Sequence, residues 1–341
     1  FEFDLNLRQN LMNLRDRILN LDDLKKYSKE LDNLEREFTL FNAQIIENII
    51  KKNDYQIDLI GFHGQTIFHN SKRKISKQLG DGKLLSQLTK KVVINDFRKQ
   101  DIINGGQGAP LTPVFHKLIS KFLNEKNKVN NPINIINIGG ITNITQIKDS
   151  DSINSSIKAF DIAPGNCLID EWIRKNSSKK FDKDGLIAKS GKVNNLILNQ
   201  ALDNFNFFKP NMSLDIKDFD ISFVKGLSLE DGCATLTKFT ANLISQGIEY
   251  MNNTNKCLPN YNLICGGGRK NDFLIKSIDE SITQKNNQLK NIDQYGLNGD
   301  FIESQAFGYI AIRSFLNLPI SFPNTTGCKS PTPGGTINKN F

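Results

Sequence analysis

Ile133-Asn134-Ile135-Ile136-Asn137-Ile138-Gly139-Gly140 sets an apolar run directly against a pair of glycines. A short, β-branched run closed by glycine reads as a buried strand ending in a tight turn. Glycine there lets the backbone approach a ligand closely and aim its N–H groups at phosphate or sugar oxygens. One such turn says little, because glycine ends many strands. The pattern recurs three times, however. Residues 57–60 precede Gly61-Phe62-His63-Gly64-Gln65-Thr66, residues 157–160 precede Asp161-Ile162-Ala163-Pro164-Gly165-Asn166, and residues 261–265 run into Gly266-Gly267-Gly268. Four Gly turns with His, Gln, Asp and Asn interleaved describe a cleft between two sheets. They point to phosphoryl transfer.

Working outward, strand, Gly turn and helix alternate, which predicts an α/β fold with mixed or parallel sheets flanked by helices. From Leu11 to Ile50 the apolar residues fall at helical spacing, through Leu14, Ile18, Leu21, Leu31, Leu34, Phe38, Phe41 and Ile45. Residues 92–95 read as another short strand, running into Asp96-Phe97-Arg98. The glycine-rich stretch 104–110 reads as an ordered loop, and 124–132 as a polar crossover between domains. Residues 284–300 read as polar surface with turns at Gly296 and Gly299. Helical periodicity returns over 301–316, and 323–335 is loop-like. No repeat of fixed period is present.

The 341 residues suffice for two domains with real cores. No apolar stretch approaches the roughly 20 residues of a spanning helix, and Phe1-Glu2-Phe3-Asp4 does not open a signal peptide. Five cysteines without a CxxC pair or metal-ligand spacing fit a reducing cytoplasm. Cys167, Cys233 and Cys265 sit in apolar contexts, as small core residues do. The net charge of +8 comes from dispersed lysines in a Lys-, Asn- and Ile-rich chain. That argues against a nucleic-acid surface, while an anionic substrate gains modestly from the positive field.

Asp161, at a strand end, suits a general base or a ligand of metal-bound water. It could instead cap the helix read over 167–174, although Asn166 is nearer for that purpose. Asn137, Gly139, Gly140 and Asn143 resemble turns that hold phosphates through main-chain N–H groups, or form an ordinary turn. Gly266, Gly267 and Gly268 before Asn271 would let adenine or ribose lie on bare backbone, or serve helix–strand packing. His63 and Gln65 sit between glycines, and three histidines in the chain argue against a His metal cluster. Asp96, Arg98 and Asp101 form either an Arg fork for a polyhydroxylated carboxylate or a surface ion-pair network. Glu303 opens a helix, where the dipole also favours an acid.

Together the motifs resemble the anhydro-N-acetylmuramic acid kinase family, within the actin–hexokinase–Hsp70 superfamily. They are HGQT at 63–66, NDFRKQDIINGGQGAPL at 95–111, NIGGITN at 137–143, FDIAPGN at 160–166 and FDKDGLIAKSG at 181–191. ICGGGRKN at 264–271, ESQAFGYIAIR at 303–313 and FPNTTGC at 322–328 complete a set that spans the chain. The resemblance implies two actin-like, ribonuclease H-like lobes around a central nucleotide cleft. Residues 1–131 with 303–341 would form the sugar lobe, and 132–302 the nucleotide lobe.

It implies ATP and Mg²⁺ as partners, a possible homodimer, and a place in peptidoglycan recycling. The family opens the anhydro bridge with water while phosphorylating O6. By that likeness Asp161 is the base. His63, Gln65, Asp96, Arg98 and Glu303 face the sugar, and Gly139, Gly140, Asn143, Gly165, Asn166, Gly266, Gly267, Gly268 and Asn271 bind ATP. Two departures stand out. The family's opening Gly-Thr-Ser-x-Asp-Gly turn does not appear, so the expectation is an N-terminal truncation and an inactive chain. Met212 also stands where relatives often place lysine. A kinase for another sugar, or a non-catalytic actin-fold remnant, are the alternative readings.

Overall fold

The computed structural model describes residues 4–53, 56–70, 73–126, 128–149, 156–205, 214–257, 259, 261–283 and 288–341. The stretch 208–213, including Met212, thus lies outside the described residues. The chain divides into two compact units, Phe1–Val114 with Ser304–Phe341, and Phe115–Glu303.

The second unit is built on a five-stranded sheet. Its strands are β5 Ile133–Ile138, β6 Ile141–Ile147, β7 Ile157–Pro164, β8 Tyr261–Cys265 and β9 Gln288–Asn291, with β1 to β4 and β10 in the first unit. The spatial order is β7-β6-β5-β8-β9. β6 runs antiparallel to both neighbours, while β5, β8 and β9 are parallel. In chain order this is 3-2-1-4-5 with the second strand reversed, the ribonuclease H-like topology of an actin-type lobe.

Helices cover both faces, as a sheet of apolar runs requires. Ile136, Ile138, Ile144 and Ile162 pack with Leu236, Phe239, Ile244 and Ile248 of helix Leu229–Asn255. On the other face Ile133, Ile135, Ile147, Leu263 and Cys265 meet Ile119 and Leu123 of helix Pro113–Glu125. That second packing draws the unit boundary back to Val114, ahead of the polar stretch at 124–132.

The first unit holds a three-stranded sheet of β1 Leu59–Gly61, β4 Val92–Asn95 and β10 Thr336–Asn338, in the order β1-β4-β10. Beside it lies the hairpin β2 Gln65–Asn70 and β3 Ile75–Leu79. The helical periodicity of the opening residues becomes three helices, Leu5–Arg17, Leu21–Lys26 and Ser28–Lys52. Leu7, Leu11, Leu14, Leu31, Leu34 and Phe38 bury their apolar stripe against Phe62, Ile67, Phe68 and Leu79. Helix Ile302–Phe315 packs Phe307, Ile310 and Ala311 on Ile94 and Phe97.

Three expectations change. The polar stretch before Asp300 contains edge strand β9 and a fully buried Ile292. Strand pairing supplied by β8 overrides the weak local signal there. The loop-like tail contains a helical turn at Pro323–Thr326 and leads into β10, a strand whose register with β4 no local pattern announces. Asn166 stands at the N-cap of helix Cys167–Asn176 but makes no side-chain cap bond.

Candidate active site

In the second unit, strand register lines up polar residues across the sheet. Asn137 on β5 faces Asn143 on β6 and Cys265 on β8, and Asn143 in turn faces Asp161 on β7. A register shift in the β6–β7 pair, at Thr142/Asn143, sets Asp161 in this row. Asp161 is half-buried, and its Oδ2 accepts a hydrogen bond from the Leu214 N–H at 2.9 Å. It is not the cap of the helix that follows. Asn143 Oδ1 is buried without a hydrogen-bond partner. A buried acceptor left unpaired costs roughly 1–3 kcal/mol, and this one lies beside Asp161 in the row.

Three glycine turns converge at the same edge of the sheet. The N–H groups of Gly165 and Asn166 donate to the carbonyls of Gly140 and Gly139, at 2.8 and 2.7 Å. The Gly266–Gly268 turn closes on the same corner. A Cβ at Gly165 would collide with the Gly139 carbonyl, one at Gly268 with Ile138, and one at Gly266, where φ is +81°, with Asn137 Oδ1. Those glycines are needed for the turns to fit together. Gly139, Gly140 and Gly267 are different, because a Cβ there would find its nearest neighbour at 3.5, 3.6 and 3.9 Å. The fold does not demand a glycine at these three positions.

A cavity of about 440 Å³ adjoins the corner, lined by Asn166, Asp170, Phe181, Asp182, Lys270 and Asn271 among others. Asn271 Oδ1 caps helix Asp272–Ser281 by accepting from the Leu274 N–H at 2.9 Å. Asp182 holds helix Leu186–Ser190 through the N–H groups of Ile187 and Ala188, at 2.8 and 3.0 Å. Phe181, Asp182 and Lys270 were not assigned roles from the sequence, although 181–191 and 264–271 stood out as motifs. The Cys265 thiol is pushed up to about 12, chiefly by burial, with the Arg269 charge lowering it and the Glu303 and Asp293 carboxylates raising it. Cys265 is therefore no nucleophile, and Glu303 lies within electrostatic reach of the polar row. Among the described residues no group of three or more His, Cys, Asp or Glu could hold a metal ion.

The first unit joins His63 to Arg98, while Gln65 and Asp96 have other neighbours. His63 Nδ1 donates to the Gly64 carbonyl at 2.8 Å, which leaves Nε2 to accept from the Arg98 guanidinium at 2.9 Å. Burial, then the Arg98 charge, lowers its pKa to about 3, so the ring is neutral. Its face lies 4.2 Å, centroid to centroid, from Phe307. Arg98 also donates to the Gly108 carbonyl at 2.7 Å, fixing the glycine-rich loop. Asp101 is committed to the fold, accepting from the Gly108 N–H and Thr326 Oγ1 at 2.7 and 2.6 Å. Asp96, at φ +58°, lines a separate cavity of about 400 Å³ with Gln78, Asn95 and Lys99. A non-glycine residue in that conformation is uncommon and clusters at functional sites. Gln65 Nε2 reaches the Thr66 carbonyl at 3.5 Å.

The family model described as AnmK, anhydro-N-acetylmuramic acid kinase, matches residues 7–340. The chain belongs to this family. It is 51% identical over 343 residues to the anhydro-N-acetylmuramic acid kinase of Pelagibacter ubique, covering all of this chain and 90% of that one. The Zymomonas mobilis enzyme of the same name is 37% identical, over 88% of this chain and 79% of its own. The Rhodospirillum rubrum enzyme is 36% identical, over 90% and 78%. The family match runs through both units and takes in the polar row, the glycine corner and the His63–Arg98 cluster. No helix among the described residues is long and apolar enough to cross a membrane.

Proposed function

We propose that the chain is an ATP-dependent sugar kinase that opens 1,6-anhydro-N-acetylmuramic acid with water and phosphorylates O6. The product is N-acetylmuramic acid 6-phosphate, in the recycling of cell-wall sugars in the cytoplasm. Family membership supports the reaction. The observation that carries it is the convergence of three unforced glycines, Gly139, Gly140 and Gly267, on the strand-end row that contains Asp161.

In this reading the second unit binds ATP. The turn at Gly139 and Gly140 offers backbone to the phosphates, and Gly267 and the adjoining cavity receive the adenosine. Asp161 takes a proton from the water that attacks C1. The C1–O6 bond breaks, O6 attacks the γ-phosphorus, and ADP leaves. Positioning and fixed dipoles supply most of such a rate. Mg²⁺ would neutralise phosphate charge; it keeps waters and needs only one or two protein oxygens, a demand that the unpaired Asn143 Oδ1 fits. In the same reading Gln65, Asp96, Glu303 and the Arg98 fork that neutral His63 orients contact the sugar.

Incubation with anhydro-sugar, ATP and Mg²⁺ in ¹⁸O water tests this. The phosphorylated product should carry ¹⁸O at C1. Phosphorylated sugar without the label, or no nucleotide-dependent product, would overturn the assignment.

A further inference from the structure

The Gly266–Gly268 turn that follows β8 is held from behind by a charge cluster that the reaction itself does not use. Arg269 is nearly enclosed, with 3% of its side chain exposed. Its Nη1 donates to the Gly266 carbonyl at 3.0 Å and to Asp300 Oδ1 at 2.7 Å, while its Nε donates to Asp293 Oδ2 at 2.9 Å. Asp293 Oδ1 accepts from the Gly299 N–H at 2.6 Å, and the Gly299 carbonyl accepts from the Gly266 N–H at 3.3 Å. Gly266 is thereby pinned at both its N–H and its C=O to the 293–300 loop. Asp300 Oδ2 also takes the Lys270 ammonium at 2.6 Å, and Lys270 lines the cavity beside Gly267.

Gly299 is what permits the arrangement, since a Cβ there would collide with Arg269 Nε. Hydrogen bonding from Arg269 holds the Asp300 carboxyl down at about 2, so the cluster stays ionised across the physiological range.

We propose that Arg269 is a positioning residue for nucleotide: it clamps the Gly266–Gly268 turn to the 293–300 loop so that Gly267 meets ATP in one fixed conformation. This rests on the assignment of that turn to the nucleotide. A planar guanidinium can serve three acceptors in one plane and a lysine ammonium cannot, so Arg269→Lys removes the fork while keeping the charge. A loosened turn must then be ordered by the nucleotide, which lowers affinity. The sugar is not held by this turn and should not notice.

Calorimetric titration of ADP, with thermal melts and steady-state kinetics, tests the clamp in three variants. Arg269→Lys and Gly299→Ala, which dislodges the guanidinium without altering it, should each weaken ADP about tenfold, the worth of one charge-assisted hydrogen bond. Asp300→Asn should weaken it less. KM for ATP should rise in step, with KM for the sugar and kcat at saturating ATP unchanged. Should Arg269→Lys fail to fold, the Gly299 and Asp300 variants decide alone. Unchanged ADP affinity in folded variants, or equal losses for ATP and sugar, would overturn the proposal. Gly267→Val separates the two layers. If it too leaves ADP binding intact, the nucleotide assignment of the turn is wrong; if it alone weakens ADP, only the clamp is wrong.

Discussion

The five-stranded sheet of the second unit carries amide side chains at both ends of the same strands, with opposite outcomes. At one end Asn134, Gln146 and Asn262 meet Asn252 of helix Leu229–Asn255, each at most 1% exposed. Gln146 Nε2 donates to Asn134 Oδ1, Asn252 Oδ1 and the Cys257 carbonyl at 3.0, 3.2 and 3.2 Å. Asn134 Nδ2 donates to Asn262 Oδ1 and Asn252 Oδ1 at 2.8 and 3.2 Å. Only three residues along β5, Asn137 begins the row that runs through Asn143 to Asp161. It faces the other side of the sheet, under glycine turns rather than under a helix. Each end keeps one buried polar atom without a hydrogen bond, Asn262 Nδ2 and Asn143 Oδ1. The lesson is that a polar residue in a strand does not declare a site. What closes over it does: a helix returns hydrogen bonds to the amides, and bare glycine leaves room for a ligand.

That contrast can be broken at several points. The largest effect should come from Asp161→Asn, which keeps the shape of the row and removes the base. Turnover should fall roughly 10²–10⁴-fold with ADP affinity preserved, and single-turnover assays beside calorimetry would show whether it does. Next come the glycines. Gly267→Val should weaken ADP at least about tenfold with little change in melting temperature, because the space is open. Gly165→Ala should instead destabilise by about 1–3 kcal/mol, measured by urea unfolding, because its Cβ has nowhere to go. If both variants behaved alike, the distinction between forced and unforced glycines would not stand.

At the closed end, Asn134→Ala should cost about 1–3 kcal/mol, since it strands the partners of a buried amide. KM values should not move, and a change in them would connect this end to the site. The smallest effect concerns acid. Burial lowers His116, whose Nδ1 lies 2.7 Å from Thr145 Oγ1, from 6.5 to about 3, and His63 is similarly placed. The unfolded chain then binds protons that the folded one does not, so stability falls as pH drops below about 6.5. His116→Gln should flatten that slope between pH 6.5 and 5 in urea titrations. His63→Gln should flatten it to a similar degree, since its ring is lowered to about 3 as well.

Part of the fold could be read directly because four of the described strands, β1, β5, β7 and β8, are apolar runs that lead into a glycine turn. Residues 133–138, 92–95 and 261–265 match their strands, and 157–160 underestimates β7 only by its polar and Pro-containing end. β9 and β10 were illegible for a shared reason: both are short edge strands whose pairing comes from a neighbour far away in sequence. In the site, the glycine turns and Asp161 were legible as motifs. The distinction between Gly139, which the fold tolerates losing, and Gly165, which it cannot, needs the packing. Arg269 and Asp300 were hidden because an ion pair across a loop leaves no periodic trace. The Arg98 fork was legible as a charge pattern, but its hold on His63 and the Gly108 carbonyl depends on which atoms meet.

The β10 strand has a consequence for how the molecule is made. Asn338 donates to the Val93 carbonyl and to Asn95 Oδ1 across a sequence gap of more than two hundred residues, and Thr336–Asn338 pairs along β4. A ribosome delivers Val93 long before Asn338. The three-stranded sheet of the first unit therefore waits with the β4 edge unpaired while Phe115–Glu303, continuous in sequence, is synthesised and can fold by itself. Vectorial synthesis thus reverses the order of the units. The unit that holds Val93 is completed last, and in that interval the β4 edge that Thr336–Asn338 will cover stays open to wrong pairing.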